Sequence, residues 1–158
     1  MVPSVILLNA LWAALFATGL GVMLTAPVRY LVAAFACGFL GRGLRDVCTG
    51  LGLNVNWATV IAAAVVVLAA VAITRRRGVS PVVLICGVLP LGAAVAMFNL
   101  IFATMQISSA TGDKLASASV ALAANAGKVF TTSVAIAIGL AVGIAVERLV
   151  KRQAVAAA

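Results

Sequence analysis

The sequence predicts an all-α, polytopic membrane protein with five transmembrane helices in a single domain over residues 1–158. Hydrophobic residues make up 65% of the chain and charged residues 9%, with a mean hydropathy of +1.27. Soluble domains are about 45–50% apolar and about 25% charged. The apolar blocks also reach the roughly 17–25 residues that a helix needs to cross a bilayer. We therefore expect the chain to lie in a lipid bilayer, with no stretch that forms a separate soluble core.

The first two spans are separated by a proline turn. The first is expected from about Ser4 to Leu24. The earliest cation is Arg29, so this stretch lacks the positive n-region of a signal peptide and we interpret it as a retained helix. The turn is Thr25–Pro27, because proline breaks a helix and restricts the residue before it. The second span then runs from about Val28 to Val47.

The next loop is rich in glycine and asparagine, at Gly50, Gly52, Asn54 and Asn56. These residue types favour turns. The third span follows from about Trp57 to Thr74 and contains no charge, and Arg75–Gly78 closes it.

Proline marks the fourth span, expected from about Val79 to Met105. Pro81 falls in its first turn, whereas Pro90, with Gly92, should weaken the helix near its middle. Interrupted helices near the bilayer midplane often line transport sites. Pro90, and Asn99 on a later turn, are therefore candidate site residues. The alternative is a simple kink packed against neighbouring helices.

The fifth apolar stretch is longer than one membrane crossing requires. Leu115–Val146 would form about 48 Å of helix at 1.5 Å per residue, more than the roughly 30 Å of a hydrocarbon core. Either the helix protrudes or it breaks near Asn125–Gly127. We favour a crossing portion near Ala126–Val146, and we expect Ser108–Lys114 to be an exposed connection.

Loop cations indicate the orientation, because cytoplasmic loops are enriched in Lys and Arg. With the N-terminus outside, seven of the 11 Lys and Arg residues lie inside: Arg29, Arg75, Arg76, Arg77, Arg148, Lys151 and Arg152. The remaining four lie outside: Arg42, Arg45, Lys114 and Lys128. We therefore predict an N-out, C-in topology.

Composition and motifs argue against several other classes. The net charge is +8 without any histidine, but the cations flank apolar spans as topology signals do, so we expect no nucleic-acid partner. Cys37, Cys48 and Cys86 have neither disulfide nor metal spacing, and we interpret them as small buried hydrophobes. Phosphate-binding, hydrolytic and metal motifs are missing. We expect no enzyme activity, no cofactor and no metal.

A charged cluster closes the second span. Arg42 and Arg45 lie about 21 Å and about 25 Å along a helix that begins at Val28. Asp46 is four residues after Arg42 and can pair with it, which leaves Arg45 as the freer cation. A guanidinium recognises carboxylates in a bidentate manner. Arg45, Arg42 and Asp46 are thus candidates for substrate binding or gating. The alternatives are arginines that snorkel to the outer interface, or contact with a partner chain.

Small residues flank this cluster. Gly38, Gly41 and Gly43 favour close helix packing, or else backbone access for a ligand. Gly139 and Gly143 form a GxxxG pair in the fifth span, a packing signal of weak specificity.

At this point the residues show a family resemblance. The block from Thr25 to Thr59, TAPVRYLVAAFACGFLGRGLRDVCTGLGLNVNWAT, resembles the threonine/serine exporter family. Three pieces carry the match: Pro27-Val28-Arg29, the Gly41-Gly43-Arg45 cluster, and Gly52-Leu53-Asn54 leading through Trp57 and Thr59. Relatives tend to have several prolines in the fourth span, whereas here only Pro90 and Gly92 remain near its middle.

The resemblance implies a small inner-membrane subunit that matches the C-terminal five-helix half of the family. It also implies a second membrane subunit that supplies the other half. The solute would be a small amino acid or a dicarboxylate such as succinate, so a small carboxylate-bearing molecule in either case. Independently, an odd number of spans suits half of a two-part transporter. The alternative is a non-transporting membrane scaffold. A homo-oligomeric channel is less favoured, since no ring-forming polar stripe stands out.

Overall fold

The computed structural model describes residues 3–74, 81–92, 94–109 and 113–156. These residues form six α-helices and one 3-10 turn and no strand, which confirms the all-α prediction. The elements are α1 (Pro3–Met23), α2 (Val28–Gly50), α3 (Val55–Thr74), α4 (Pro81–Val88), the 3-10 turn (Leu89–Leu91), α5 (Ala94–Ser109) and α6 (Asp113–Ala156). The predicted Arg75–Gly78 loop lies outside the described residues, as do positions 110–112 of the predicted connection.

Among the described residues, three helical stretches are long and apolar enough to cross a membrane: Ser4–Met23, Val55–Ile73 and Lys114–Leu149. The fourth-span region is divided into the shorter helices α4 and α5. Helix α2 has 23 residues but includes three arginines and one aspartate. The structure thus supports a multi-pass membrane protein, whereas the count of five spans stays a prediction.

The described residues fall into two compact units. One contains the residues up to Leu91 together with those from Ala135 onward, and the other is Gly92–Val134. The prediction of one transmembrane domain over the whole chain stays a prediction. The charged cluster of α2 lies in the first unit.

Small side chains face inward in the first unit, and large ones face outward. Leu11 and Trp12 of α1 are exposed, whereas the buried positions of this helix are Ala10, Ala13, Ala14, Ala17 and Gly21. This is a helical i, i+3, i+4, i+7 stripe made of small residues. Such a stripe lets helix backbones approach closely. Large apolar side chains can face outward because they gain nothing by moving from the lipid chains into the protein interior.

The same rule shapes α2 and α3. Gly38 of α2 faces Ala17 of α1, because a Cβ built on this glycine would lie 2.7 Å from the Ala17 Cβ. The core around α3 contains Ala62, Ala63, Val66 and Ala70 with residues of α2 and α4. All three cysteines are free and buried, which confirms their interpretation as small core residues.

The GxxxG pair of α6 packs against α3. A Cβ on Gly139 would lie 2.5 Å from the Val60 carbonyl oxygen, and one on Gly143 would lie 2.7 Å from the Val67 Cβ. There is no room for a larger side chain at either position. The packing interpretation of this pair is confirmed.

The ends of α1 and α2 share one turn geometry. After α1, the Thr25 N–H donates to the Val22 carbonyl and the Ala26 N–H donates to the Gly21 carbonyl. Together with a φ of 53° at Thr25, these bonds form a Schellman motif. After α2, the Gly52 and Leu53 N–H groups bond in the same pattern, with a φ of 89° at Gly52.

The fifth-span helix is continuous. Helix α6 includes 44 residues, so a break near Asn125–Gly127 was the wrong alternative. The Asn125 Nδ2 donates to the Ala121 carbonyl of the same helix at 2.8 Å, so this side chain bonds within α6 at the position of the alternative break.

Candidate functional site

Asp46 is the centre of a polar group between α1 and α2. The Arg42 Nε lies 3.3 Å from both carboxylate oxygens of Asp46. The Asn9 Nδ2 of α1 donates to the Asp46 Oδ2, also at 3.3 Å. The predicted pair at i+4 is therefore confirmed. We call Asn9, Arg42, Arg45 and Asp46 the polar cluster.

Arg45 points to a different partner. Its Nη1 donates to the Leu91 carbonyl oxygen at 2.7 Å. This is the short distance typical of a hydrogen bond with an ionised donor. Since the acceptor is neutral, the charge of Arg45 is not cancelled by it. Arg45 is thus the cation that Asp46 leaves over, as predicted, but its guanidinium already has a backbone partner.

Pro90 explains why Leu91 lies at an interruption. Proline has no N–H and cannot bond the carbonyl four residues earlier, so a helix ends or kinks at it. Helix α4 ends at Val88, and Pro90 is the middle residue of the 3-10 turn Leu89–Leu91. The expected weakening of the fourth span at Pro90 is confirmed. Backbone groups at such a point need partners from elsewhere in the protein, and Arg45 supplies one.

Glycine lets α2 and the interruption approach each other. A Cβ on Gly41 would lie 2.7 Å from the Val66 Cγ2 and 3.4 Å from the Leu91 Cδ1. One turn further along α2, Arg45 then reaches the Leu91 carbonyl. Gly43 is less constrained, since its nearest neighbour would be the Ala10 Cβ at 3.6 Å. The space beside Gly38 and Gly41 is filled by neighbouring helices, which favours packing over ligand access at these two positions.

Burial places the polar cluster between core and surface. The Arg42 side chain is 30% exposed and that of Asp46 is 13% exposed. Leu91 is fully buried. Two arginines and one aspartate leave one net positive charge among partly buried side chains. Such a group attracts an anion more strongly than it would in water, because the local dielectric constant is low.

Asn99 belongs to the second unit and is described with it. It is exposed on α5. Nearby on the same helix, the Thr104 Oγ1 donates to the Leu100 carbonyl at 2.7 Å. The candidate role of Asn99 stays a prediction. The described residues contain no group of three or more His, Cys, Asp or Glu side chains that would hold a metal ion.

Asn9 was not among the predicted site residues. The signal was nevertheless present, since Asn9 is an amide side chain inside the long apolar helix α1. Polar side chains in membrane helices usually face the bundle and bond across it. Asn9 does so through Asp46.

Comparison with known proteins identifies the family. A family model described as "Threonine/Serine exporter, ThrE" matches residues 9–150 of the 158-residue chain. The matched range contains the whole polar cluster and the interruption at Pro90. No curated protein and no solved structure matches significantly. The family match confirms the resemblance inferred from the block Thr25–Thr59.

Proposed function

The chain belongs to the threonine/serine exporter family, and we propose that it is one of two membrane subunits of a secondary exporter. The proposed solutes are small amino acids such as threonine and serine, or dicarboxylates. Both classes bear a carboxylate. The proposed orientation is N-out and C-in, in the cell inner membrane.

The observation that carries this proposal is the position of Arg45. A charged residue in a membrane helix costs at least a few kcal/mol and usually faces a bundle interior or a water-filled cavity. Arg45 is partly buried, and the hydrogen-bond acceptor of its guanidinium is a neutral carbonyl of the interrupted fourth span. This acceptor does not neutralise the positive charge. A carboxylate is the ligand that a guanidinium fork fits best. Arg45 is the proposed binding residue, with Arg42 and Asp46 as its charged neighbours and Pro90 as the cause of the interruption.

The need for a second subunit is proposed on different grounds. Many secondary transporters are built from two halves that surround a site near the midplane. An odd number of spans does not form two such halves within one chain, and the resemblance covers only the family's C-terminal five-helix half. A larger partner would supply the rest of the pathway.

Reconstitution tests the proposal. The chain should be purified from its native membrane with any partner that accompanies it, and placed in proteoliposomes as the chain alone, the partner alone and the complex. Efflux of labelled threonine, serine and succinate should be seen only with the complex. Robust flux from this chain alone would show that the partner is unnecessary. A complex that moves none of the three solutes would contradict the exporter proposal.

A scaffold is the second candidate, and one observation favours it. The polar cluster joins α1 to α2, and Arg45 joins α2 to the 3-10 turn, which are contacts that would also hold an inert bundle together. A scaffold should retain complex formation and the activity of the complex when Arg45 is uncharged. An exporter should lose the activity and retain the complex.

A further inference from the structure

If Arg45 binds a carboxylate, its contact with the interrupted helix becomes a point of competition between two acceptors. The same Nη1 that donates to the Leu91 carbonyl at 2.7 Å belongs to one of the two edges through which a guanidinium forms bidentate pairs. A carboxylate that takes this edge competes with the Leu91 carbonyl for Nη1, whereas one that takes the edge formed by Nε and the other terminal nitrogen leaves the Leu91 bond in place. An exchange of acceptors belongs to the first of these two cases.

We infer that Arg45 is a latch on the fourth span: it holds the Leu91 carbonyl when the site is empty and exchanges it for the solute carboxylate when the site is filled. This inference rests on the proposed function for its solute step only. Binding of solute would then release the 3-10 turn and α4. The polar cluster would then do more than bind the solute: it would couple solute binding to a movement of the 3-10 turn and α4.

The direction of the exchange follows from charge. The Leu91 carbonyl is neutral and accepts one bond from Arg45, whereas a carboxylate carries a full negative charge and can accept two parallel N–H bonds from one guanidinium edge. The attraction between the two charges also grows where the dielectric constant is low. A carboxylate therefore outcompetes a backbone carbonyl for the guanidinium. Arg42 is less suited to this exchange, because Asp46 already accepts from it.

The consequence for the released carbonyl follows from burial. Leu91 is fully buried and lies in the core with Val66 and Val88. A buried carbonyl that loses its donor is costly to leave unpaired, so the segment has to find another partner or move. The interruption at Pro90 leaves few regular helical bonds there to oppose such a movement.

Cys86 offers a native reporter of this movement. It lies on α4, is fully buried, and packs with Ala17 and Ala34. The chain has three cysteines, so replacing Cys37 and Cys48 by alanine leaves Cys86 as the single thiol. A buried thiol reacts with a membrane-permeant maleimide only when its surroundings open, so its labelling rate reports the open population.

The experiment labels Cys86 in native membranes that contain the full complex. Without solute, Arg45→Gln should raise the labelling rate by about tenfold, because the latch is absent. Arg45→Lys should retain part of the protection, which also shows that the position tolerates substitution. Arg29→Gln is the matched control: it removes one charge from the same helix, at a residue that stacks on Tyr30, and should leave the rate unchanged.

A second arm adds solute to the parent protein. Saturating threonine or succinate should raise the labelling rate, whereas the amino alcohol threoninol, which lacks the carboxylate, should not. Arg45→Gln should show no further rise with any solute.

The outcomes separate the latch from transport. Equal labelling of Cys86 in Arg45→Gln and in the parent would overturn the latch. The exchange step would be overturned by a different pair of results: Cys86 is labelled faster in Arg45→Gln, but its labelling in the parent stays slow in the presence of solutes that the parent is shown to export. Faster labelling of Cys86 in Arg45→Gln, in a complex that exports no solute, would contradict the proposed function. It would still support the inference that Arg45 restrains the Leu91 carbonyl.

Discussion

The Arg45 Nη1 lies 2.7 Å from the Leu91 carbonyl oxygen, a contact between residues 46 positions apart in the chain. It joins the charged end of α2 to the point where Pro90 interrupts the fourth span. The same four-residue stretch of α2 therefore holds an internally paired cation, Arg42, and a cation that faces a neutral acceptor, Arg45. This difference between two arginines about one helical turn apart leads to the first prediction.

Arg45→Gln should lower solute efflux at least about tenfold while leaving expression and complex formation intact. Loss of a buried charged partner typically costs about 2–5 kcal/mol in binding, and each 1.4 kcal/mol is a factor of about ten. Arg45→Lys should recover only part of the efflux, since an ammonium is a point charge and not a fork. Initial efflux rates from cells loaded with labelled solute test both variants. Near-parental efflux in Arg45→Gln would favour an arginine that merely snorkels to the interface.

Asn9→Leu should destabilise the first unit by about 0.6 kcal/mol, the average measured for hydrogen bonds between membrane helices. The substitution removes the donor that joins α1 to Asp46. The matched control is Thr18→Val on the same helix, because the Thr18 hydroxyl bonds to the Ala14 and Leu15 carbonyls of its own helix. Unfolding of the purified protein in bicelles by increasing SDS measures both. Equal stability of the two variants would show that the Asn9 contact contributes nothing.

The topology is tested with single cysteines placed at the two ends of a chain whose native cysteines have been replaced. The split of seven to four cations predicts that an impermeant maleimide labels the N-terminal cysteine in intact cells and reaches the C-terminal one only after lysis. Labelling of the C-terminal cysteine from outside would contradict the N-out, C-in orientation.

Gly143→Leu should destabilise the packing of α6 on α3 by about 1–3 kcal/mol, the usual cost of overpacking. Its Cβ would already lie 2.7 Å from that of Val67. Gly127→Leu on the same helix is the control, since nothing lies within 4 Å of a Cβ there. The yield of folded protein in mild detergent, measured by size-exclusion chromatography, compares the two. Equal yields would place Gly143 outside any tight interface.

Gly52→Ala should destabilise the turn after α2 by about 1–2 kcal/mol, because an L-residue other than glycine is strained at positive φ. Thr25→Gly, at the equivalent position after α1, should be neutral or stabilising by up to about 1 kcal/mol, since it relieves the same strain. SDS titration in bicelles again provides the measurement. A stabilising Gly52→Ala would show that this turn relaxes out of the left-handed region.

Features with a local cause were predictable from the sequence. Proline ended α1 at the expected turn and interrupted the fourth span at Pro90, because the missing N–H acts within one helical turn. The Arg42–Asp46 pair was predictable for the same reason, since residues four apart share a helix face.

Features that depend on tertiary packing were not predictable. No local pattern indicates that Arg45 meets the Leu91 carbonyl, because that contact requires Gly41 to admit the interrupted helix beside α2. Asn9 was missed since its partner is 37 positions away. The sequence left open whether the fifth-span helix protrudes or breaks near Asn125–Gly127. The helix continues there because glycine and asparagine only lower the preference for helix, whereas proline removes a hydrogen bond.

The small-residue faces of α1 and α2 also determine how this protein should respond to temperature. When water-soluble domains unfold, apolar surface meets water and the heat capacity rises strongly. When α1 and α2 separate within a bilayer, their small-residue faces meet acyl chains instead. The heat-capacity change should then be small, and the free energy of helix separation should vary almost linearly with temperature. Cold denaturation arises where the free energy of unfolding curves downward at low temperature. Without that curvature, the helices of this bundle should not separate on cooling in the bilayer.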